Sequence, residues 1–339
     1  MGGSGLMATS RDFMLFALLI LNNGKLNGKQ YISADYIKES TSFQTATCVT
    51  GPVPSESQGY GLQFWIGEHG SIVCYGMGGQ LAILLPEYNT AIVTTADTQG
   101  YQGGNQVIYD AIFRHILPEL EKKKAPWTPT DEEKLAFEQF MSKLAIRPLN
   151  HNKSASEAWN NKFENVNDIN TSFLTNFRPI MSSFEGTYVI KKASDAAKTL
   201  DKNIINETIW DEISFKMSDP LTPSAMGKVA LKCHVSPSNT DSTVTFEFGF
   251  GVLKEGTLNM TTHMGNRADE PVPVSMHYAA SAEWLSENML YIRVHLLDTS
   301  VGSIHIQAVF GESDVTIFLR KQEETLFGEF SGHLYGTRQ

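Results

Sequence analysis

The chain has 339 residues, 41% hydrophobic and 19% charged, and 37 acidic against 27 basic side chains give a formal net charge of −10. That length exceeds what one ordinary core supports and argues for two domains. The acidic balance repels phosphate backbones and anionic membranes, so nucleic acid is excluded as a partner. Cys48, Cys74 and Cys233 are odd in number and widely spaced. They form neither a disulfide framework nor a CxxC metal site, and read as small buried hydrophobes.

In chain order, Thr9 and Asp12 supply a helix cap and the apolar run 13–21 ends at Asn22-Asn23-Gly24. Apolar residues cover nearly every side of this helix, which predicts burial on all faces. The run is half the length of a bilayer span, and no membrane span is expected. No basic cluster precedes it and no A-x-A-like site follows, so no signal peptide is seen. The chain as read is placed in the cytoplasm, or in the periplasm or outside the cell if a leader stands upstream. A shorter helix starts at Ser33, strands are expected at 61–66, 80–85 and 91–95 with a turn at 86–89, and 107–117 reads as an amphipathic helix.

The stretch EKKKAPWTPT at 121–130 combines a charge run with two prolines and marks a boundary. A capping box at 130–133 opens a helix with Phe137, Phe140, Met141 and Leu144 on one face, followed by an asparagine-rich stretch to about 180. The expected organisation is a domain over 1–122, a linker with a helix over 123–182, and an all-β domain over 183–339. In that last part the period becomes two: Val244, Phe246, Phe248, Phe250; Leu290, Ile292, Val294, Leu296; Ile304, Ile306, Ala308, Phe310. Eight or nine such segments predict an antiparallel barrel or sandwich, solidly packed or holding one small ligand. His295 and His305 fall at outward strand positions and read as satisfied or solvated, not as metal ligands.

Glycines 76, 78 and 79 allow a backbone to approach a ligand or to form a bulge at a strand end. Three segments in order, GGSGLMATSRDFMLFALLILNNGKLNGKQYIS, YGLQFWIG and YGMGGQLAILLPEYNTAIVTTAD, resemble the C-terminal half of the serine β-lactamase-like family, which includes class C β-lactamases, penicillin-binding proteins, esterases and peptidases. The resemblance covers about a third of the chain. It implies an α+β fold, the C-terminal half of a β-lactamase/transpeptidase-like domain, followed by a lipocalin-like antiparallel barrel of the kind some family members carry.

In that family a serine in S-x-x-K attacks a carbonyl and a K-T-G or H-x-G on a strand forms the opposite wall of the site. By position, Met77-Gly78-Gly79 takes the third motif, Tyr75 lies beside it on the substrate side, and the Gln80 N–H is the oxyanion donor. Met77 departs from the pattern, since a thioether neither donates a hydrogen bond nor carries charge. No S-x-x-K, Y-x-N or G-x-S-x-G occurs; Ser286-Glu287-Asn288 and His263-Met264-Gly265 match shorter patterns that arise readily by chance.

The expected function is therefore the C-terminal portion of a serine hydrolase of amides, esters or peptides, inactive alone and requiring no cofactor or metal. The nucleophile half would precede residue 1. Its partners would be that half or another chain at the sheet edge, and a small-molecule or peptide substrate. The alternative is a noncatalytic protein that binds a small ligand or peptide in the glycine-lined cleft or the barrel.

Overall fold

The computed structural model describes residues 6–51, 53–98, 103–122, 128–149, 184–194, 207–217, 226–236, 240–262, 272–286, 288–297, 302–322 and 330–339. The chain forms two compact units, Met1–Leu144 and Ala145–Gln339. The connector helix is grouped with the first unit, and residues 150–183 lie outside the described residues, as do His263-Met264-Gly265 and Glu287.

The first unit opens with α1 (Ser10–Leu21), capped by the Thr9 hydroxyl accepting from the Asp12 N–H, and a two-residue hairpin of β1 (Lys25–Leu26) and β2 (Lys29–Gln30). The next helix, α2 (Ala34–Ser40), is capped by Ser33. A four-stranded antiparallel sheet follows in the order β3 (Trp65–Ile66), β4 (Ile72–Cys74), β5 (Leu81–Leu85), β6 (Thr90–Thr94). The strand expected over 61–66 is shortened to Trp65–Ile66, because Gln63 sits in the left-handed region at φ 71° and breaks the extension. β4 was not anticipated: three residues show no alternation.

Opposite faces of the sheet pack on different helices. Ala82 and Leu84 meet Ala17 and Ile20 of α1 and Ile37 of α2, whereas Val73, Leu81 and Ile83 meet Tyr109 and Ile112. Those two belong to one helical run of α3 (Gln106–Ala111), a π-helical turn (Ile112–Ile116) and α4 (Leu117–Lys122). All five residues of β5 are buried. Burial of α1 on all faces is not observed: only Ala17 and Ile20 are fully buried, while Leu15 is 48% and Phe16 39% exposed, because no described element covers that side. The capping box of α5 (Asp131–Met141) forms as expected, with both Thr130–Glu133 bonds made, and its apolar residues Phe137, Phe140 and Met141 are exposed.

The second unit is a closed antiparallel barrel. Its strands are β7 (Gly186–Ala193), β8 (Glu207–Met217), β9 (Met226–Ser236), β10 (Thr240–Phe250), β11 (Lys254–Thr262), β12 (Val272–Ser286), β13 (Met289–Leu296), β14 (Gly302–Phe310), β15 (Asp314–Gln322) and β16 (Phe330–Arg338). Each pairs with its chain neighbour except β10 and β11; β16 pairs with β7, and a short parallel bridge, Gly249 to Ser281 and Phe250 to Ala282, joins β10 to β12 and closes the ring. The predicted alternation is the buried face: Phe246, Phe248, Leu290, Ile292, Val294, Ile306, Ala308 and Phe310 all point into one core. Phe184, Trp284 and Phe310 stack within it, with centroids 4.7–6.1 Å apart.

Candidate functional site

The stretch nominated from sequence, residues 75–80, is the turn of the β4–β5 hairpin rather than the start of a strand. The turn needs its glycines: Gly78 and Gly79 have φ of 74° and 96°, where an L-residue is strained. Three bonds fix it to the last residue of β6 and the chain just beyond it. The Gly78 carbonyl accepts from the Thr98 N–H at 3.0 Å, the Gly79 carbonyl accepts from Thr94 Oγ1 at 2.8 Å, and Gln80 Nε2 donates to the Ala96 carbonyl at 2.5 Å.

Of the five nominated residues, Met77 is exposed, at 47%, and stands at the tip of the hairpin. Gly78 and Gly79 are buried, and Gln80 is half-buried. Tyr75 lies half-buried on the α3 side of the sheet, its ring 5.7 Å from that of Trp65. The turn thus brings Met77, the two glycines and Gln80 together, while the Tyr75 ring is engaged in packing.

Behind the turn lies a buried polar chain that sequence reasoning did not find. Glu56 is fully buried; its Oε1 accepts from the Tyr109 hydroxyl at 3.1 Å and from Asn105 Nδ2 at 3.4 Å. Asn105 Oδ1 accepts in turn from Thr98 Oγ1 at 2.9 Å, and the Thr98 N–H is the group that holds the Gly78 carbonyl. Burial, then the Glu56 charge, pushes the Tyr109 phenol far above its ordinary range, so it stays a donor. A buried carboxylate therefore anchors the loop that pins the glycine turn. Nothing in the pattern around Glu56 marks it, because its partners are about fifty residues away in sequence.

Cys74 precedes the turn, and burial pushes its thiol up to about 12; burial likewise raises Cys233 to about 11. At pH 8 the Cys74 thiolate fraction is on the order of 1 in 10,000. A disulfide-exchange reagent is expected to label exposed Cys48 at once and the other two only after denaturation; equal rates for all three would contradict this burial. Both folded pKa values exceed the ordinary 9.0, so this contribution to stability is present below pH 9 and is lost as pH rises toward 11–12.

Among the described residues, no three His, Cys, Asp or Glu side chains gather as a metal site. No described helix is long and apolar enough to cross a membrane.

No family model and no curated protein matches the chain. Among solved structures it is similar to As-p18, an extracellular fatty acid binding protein, at 10% identity over 46% of this chain and 97% of that one, with a TM-score of 0.26.

Proposed function

We propose that the first unit is one wall of a β-lactamase-like serine hydrolase cleft, the C-terminal portion of a scaffold whose S-x-x-K nucleophile is supplied by a separate body. Met77, Gly78 and Gly79 face the substrate in this reading, with Tyr75 supporting them, and the Gln80 N–H is the oxyanion donor. The barrel is taken as a lipocalin-like appendage.

One observation carries the reading: among the described residues, the sheet edge beside the pinned glycine turn and one face of α1 are both uncovered. Among the described residues β6 pairs only with β5, and each of its residues is part-exposed. Its Ala91 and Val93 pack under α1, the helix whose Leu15 and Phe16 are exposed. An uncharged edge, Thr-Ala-Ile-Val-Thr, is a pairing template unless something covers it. A complementary half that adds strands at β6 and lays apolar side chains on α1 satisfies both needs at once.

The test is acylation by a fluorescent fluorophosphonate. The chain alone is expected to stay unlabelled, and co-expression with an S-x-x-K-bearing N-terminal half is expected to yield a complex labelled on the added serine. Labelling of the isolated chain on one of its own serines or threonines, or a mixed sample that never labels, overturns the reading. A noncatalytic binding protein would instead show a ligand-induced rise in melting temperature with no turnover.

A further inference from the structure

The outer face of the barrel carries a polar cluster. Across the sheet, Ser281, Arg293, His305 and Arg320 are direct partners on β12, β13, β14 and β15. Glu283 stands opposite Tyr291, and His295 opposite Ser303, on either side of that row. Strand alternation puts these side chains on the face away from Ala282, Ile292, Ile306 and Leu319, which line the core. Burial falls off along the row: Ser281 is fully buried and Ser303 and Glu283 nearly so, Arg293 and His305 are half-buried, and Arg320 is exposed. The Ser281 hydroxyl accepts from the Leu149 N–H at 2.9 Å.

Both nitrogens of His305 are engaged, Nδ1 with the Tyr291 hydroxyl at 2.5 Å and Nε2 with the Ser303 hydroxyl at 2.9 Å. Burial, and after it the charges of Arg293, Arg320 and His295, lowers the imidazole to about 4, so it is neutral at pH 7. A neutral imidazole has one donor and one acceptor, so its two hydroxyl partners take complementary roles and His305 neutralises nothing. Arg293 Nε is buried without a hydrogen-bond partner.

A buried guanidinium N–H with no acceptor is costly, and it becomes favourable when an oxygen reaches it. Arg293 and Arg320 sit two strands apart, about 10 Å at the backbone, within reach of one group lying over His305. In a chain of net charge −10, this cluster sets two arginines, Arg293 and Arg320, against one carboxylate, Glu283. Glu283, beside Tyr291, is the carboxylate that faces the cluster, alongside the cations already named.

We propose that this cluster binds an oxyanion, the phosphate or carboxylate head of a small ligand, between the guanidinium groups of Arg293 and Arg320 with the Tyr291 and Ser303 hydroxyls beside it. Guanidinium forks match such groups in geometry and charge. The site is independent of the hydrolase reading, since none of its residues belongs to the first unit.

The experiment uses the full chain at constant ionic strength, titrated with sodium phosphate in one arm and sodium acetate in the other against sodium chloride. Calorimetry reads binding, and NMR follows the His305 imidazole. Saturable binding of phosphate or acetate is expected, with the anion partly cancelling the arginine field so that the His305 pKa rises by about a unit. The arm that saturates identifies the head group. Arg293→Gln is expected to lose at least tenfold in affinity with its circular dichroism unchanged, and Arg320→Gln, at an exposed position, several-fold. Lys191→Gln, elsewhere on the barrel, is expected to change nothing. Absence of saturation in both arms, or equal binding by native protein and both arginine variants, overturns the proposal; Arg320→Gln decides if Arg293→Gln fails to fold.

Discussion

Gly79→Ala is expected to destabilise the first unit through both its backbone and its packing. Its φ of 96° lies where an L-residue costs about 1–2 kcal/mol. A Cβ there would also stand 2.7 Å from Ile108 Cδ1 and 2.9 Å from Ala96 Cβ. The isoleucine terminus can swing away, but the alanine carbon moves only with its backbone, and overpacking of this kind adds about 1–3 kcal/mol. Gly28→Ala is the control that separates the two costs, because Gly28 has φ 82° and nothing within 4 Å of a new Cβ. Urea titrations should therefore show a loss of about 2–5 kcal/mol for Gly79→Ala and only the backbone share for Gly28→Ala. Equal losses would mean that the turn is loosely packed and cannot present a fixed N–H at Gln80, which would weaken the hydrolase reading as well.

How far these features were legible in sequence depends on how local their causes are. The barrel strands announce themselves, since Leu290, Ile292, Val294 and Leu296 alternate with polar neighbours and the same side chains form the core. The caps at Thr9, Ser33 and Thr130 are equally local, each requiring a hydroxyl and an N–H three residues on. Glu56 is the opposite case: its burial has meaning only through Asn105 and Tyr109, which tertiary packing delivers. His305 falls between. Alternation puts it on the outer face, yet its meeting with Arg293 and Arg320 depends on the pairing register of three strands, which no single strand encodes. The apolar character of α1 was plain, while which of its sides is covered depends on the strands and helix that pack on it, which no pattern within the helix encodes.

Trp284→Ala is expected to cost the barrel about 3–5 kcal/mol, a large part of a domain's stability. Trp284 is 2% exposed and packs against Phe184 and Phe310, which in turn meets Tyr188 and Phe215, so no neighbour can collapse into the space without moving the aromatic cluster. Its Nε1 has no hydrogen-bond partner, so the indole is there for volume rather than for a polar contact. Trp284→Phe should therefore cost distinctly less than Trp284→Ala, and Phe318→Ala, at a side chain 49% exposed, little. The vacated space is apolar, and such cavities stay dry and take small aromatics, so indole should raise the melting temperature of Trp284→Ala and leave the native protein unmoved. That contrast decides what the barrel interior is for. If native protein also gains stability from indole, the described core already contains a receptive chamber and the ligand-binding alternative advances; if only the truncated variant responds, the interior is a packed core and any binding by this unit belongs to its outer face.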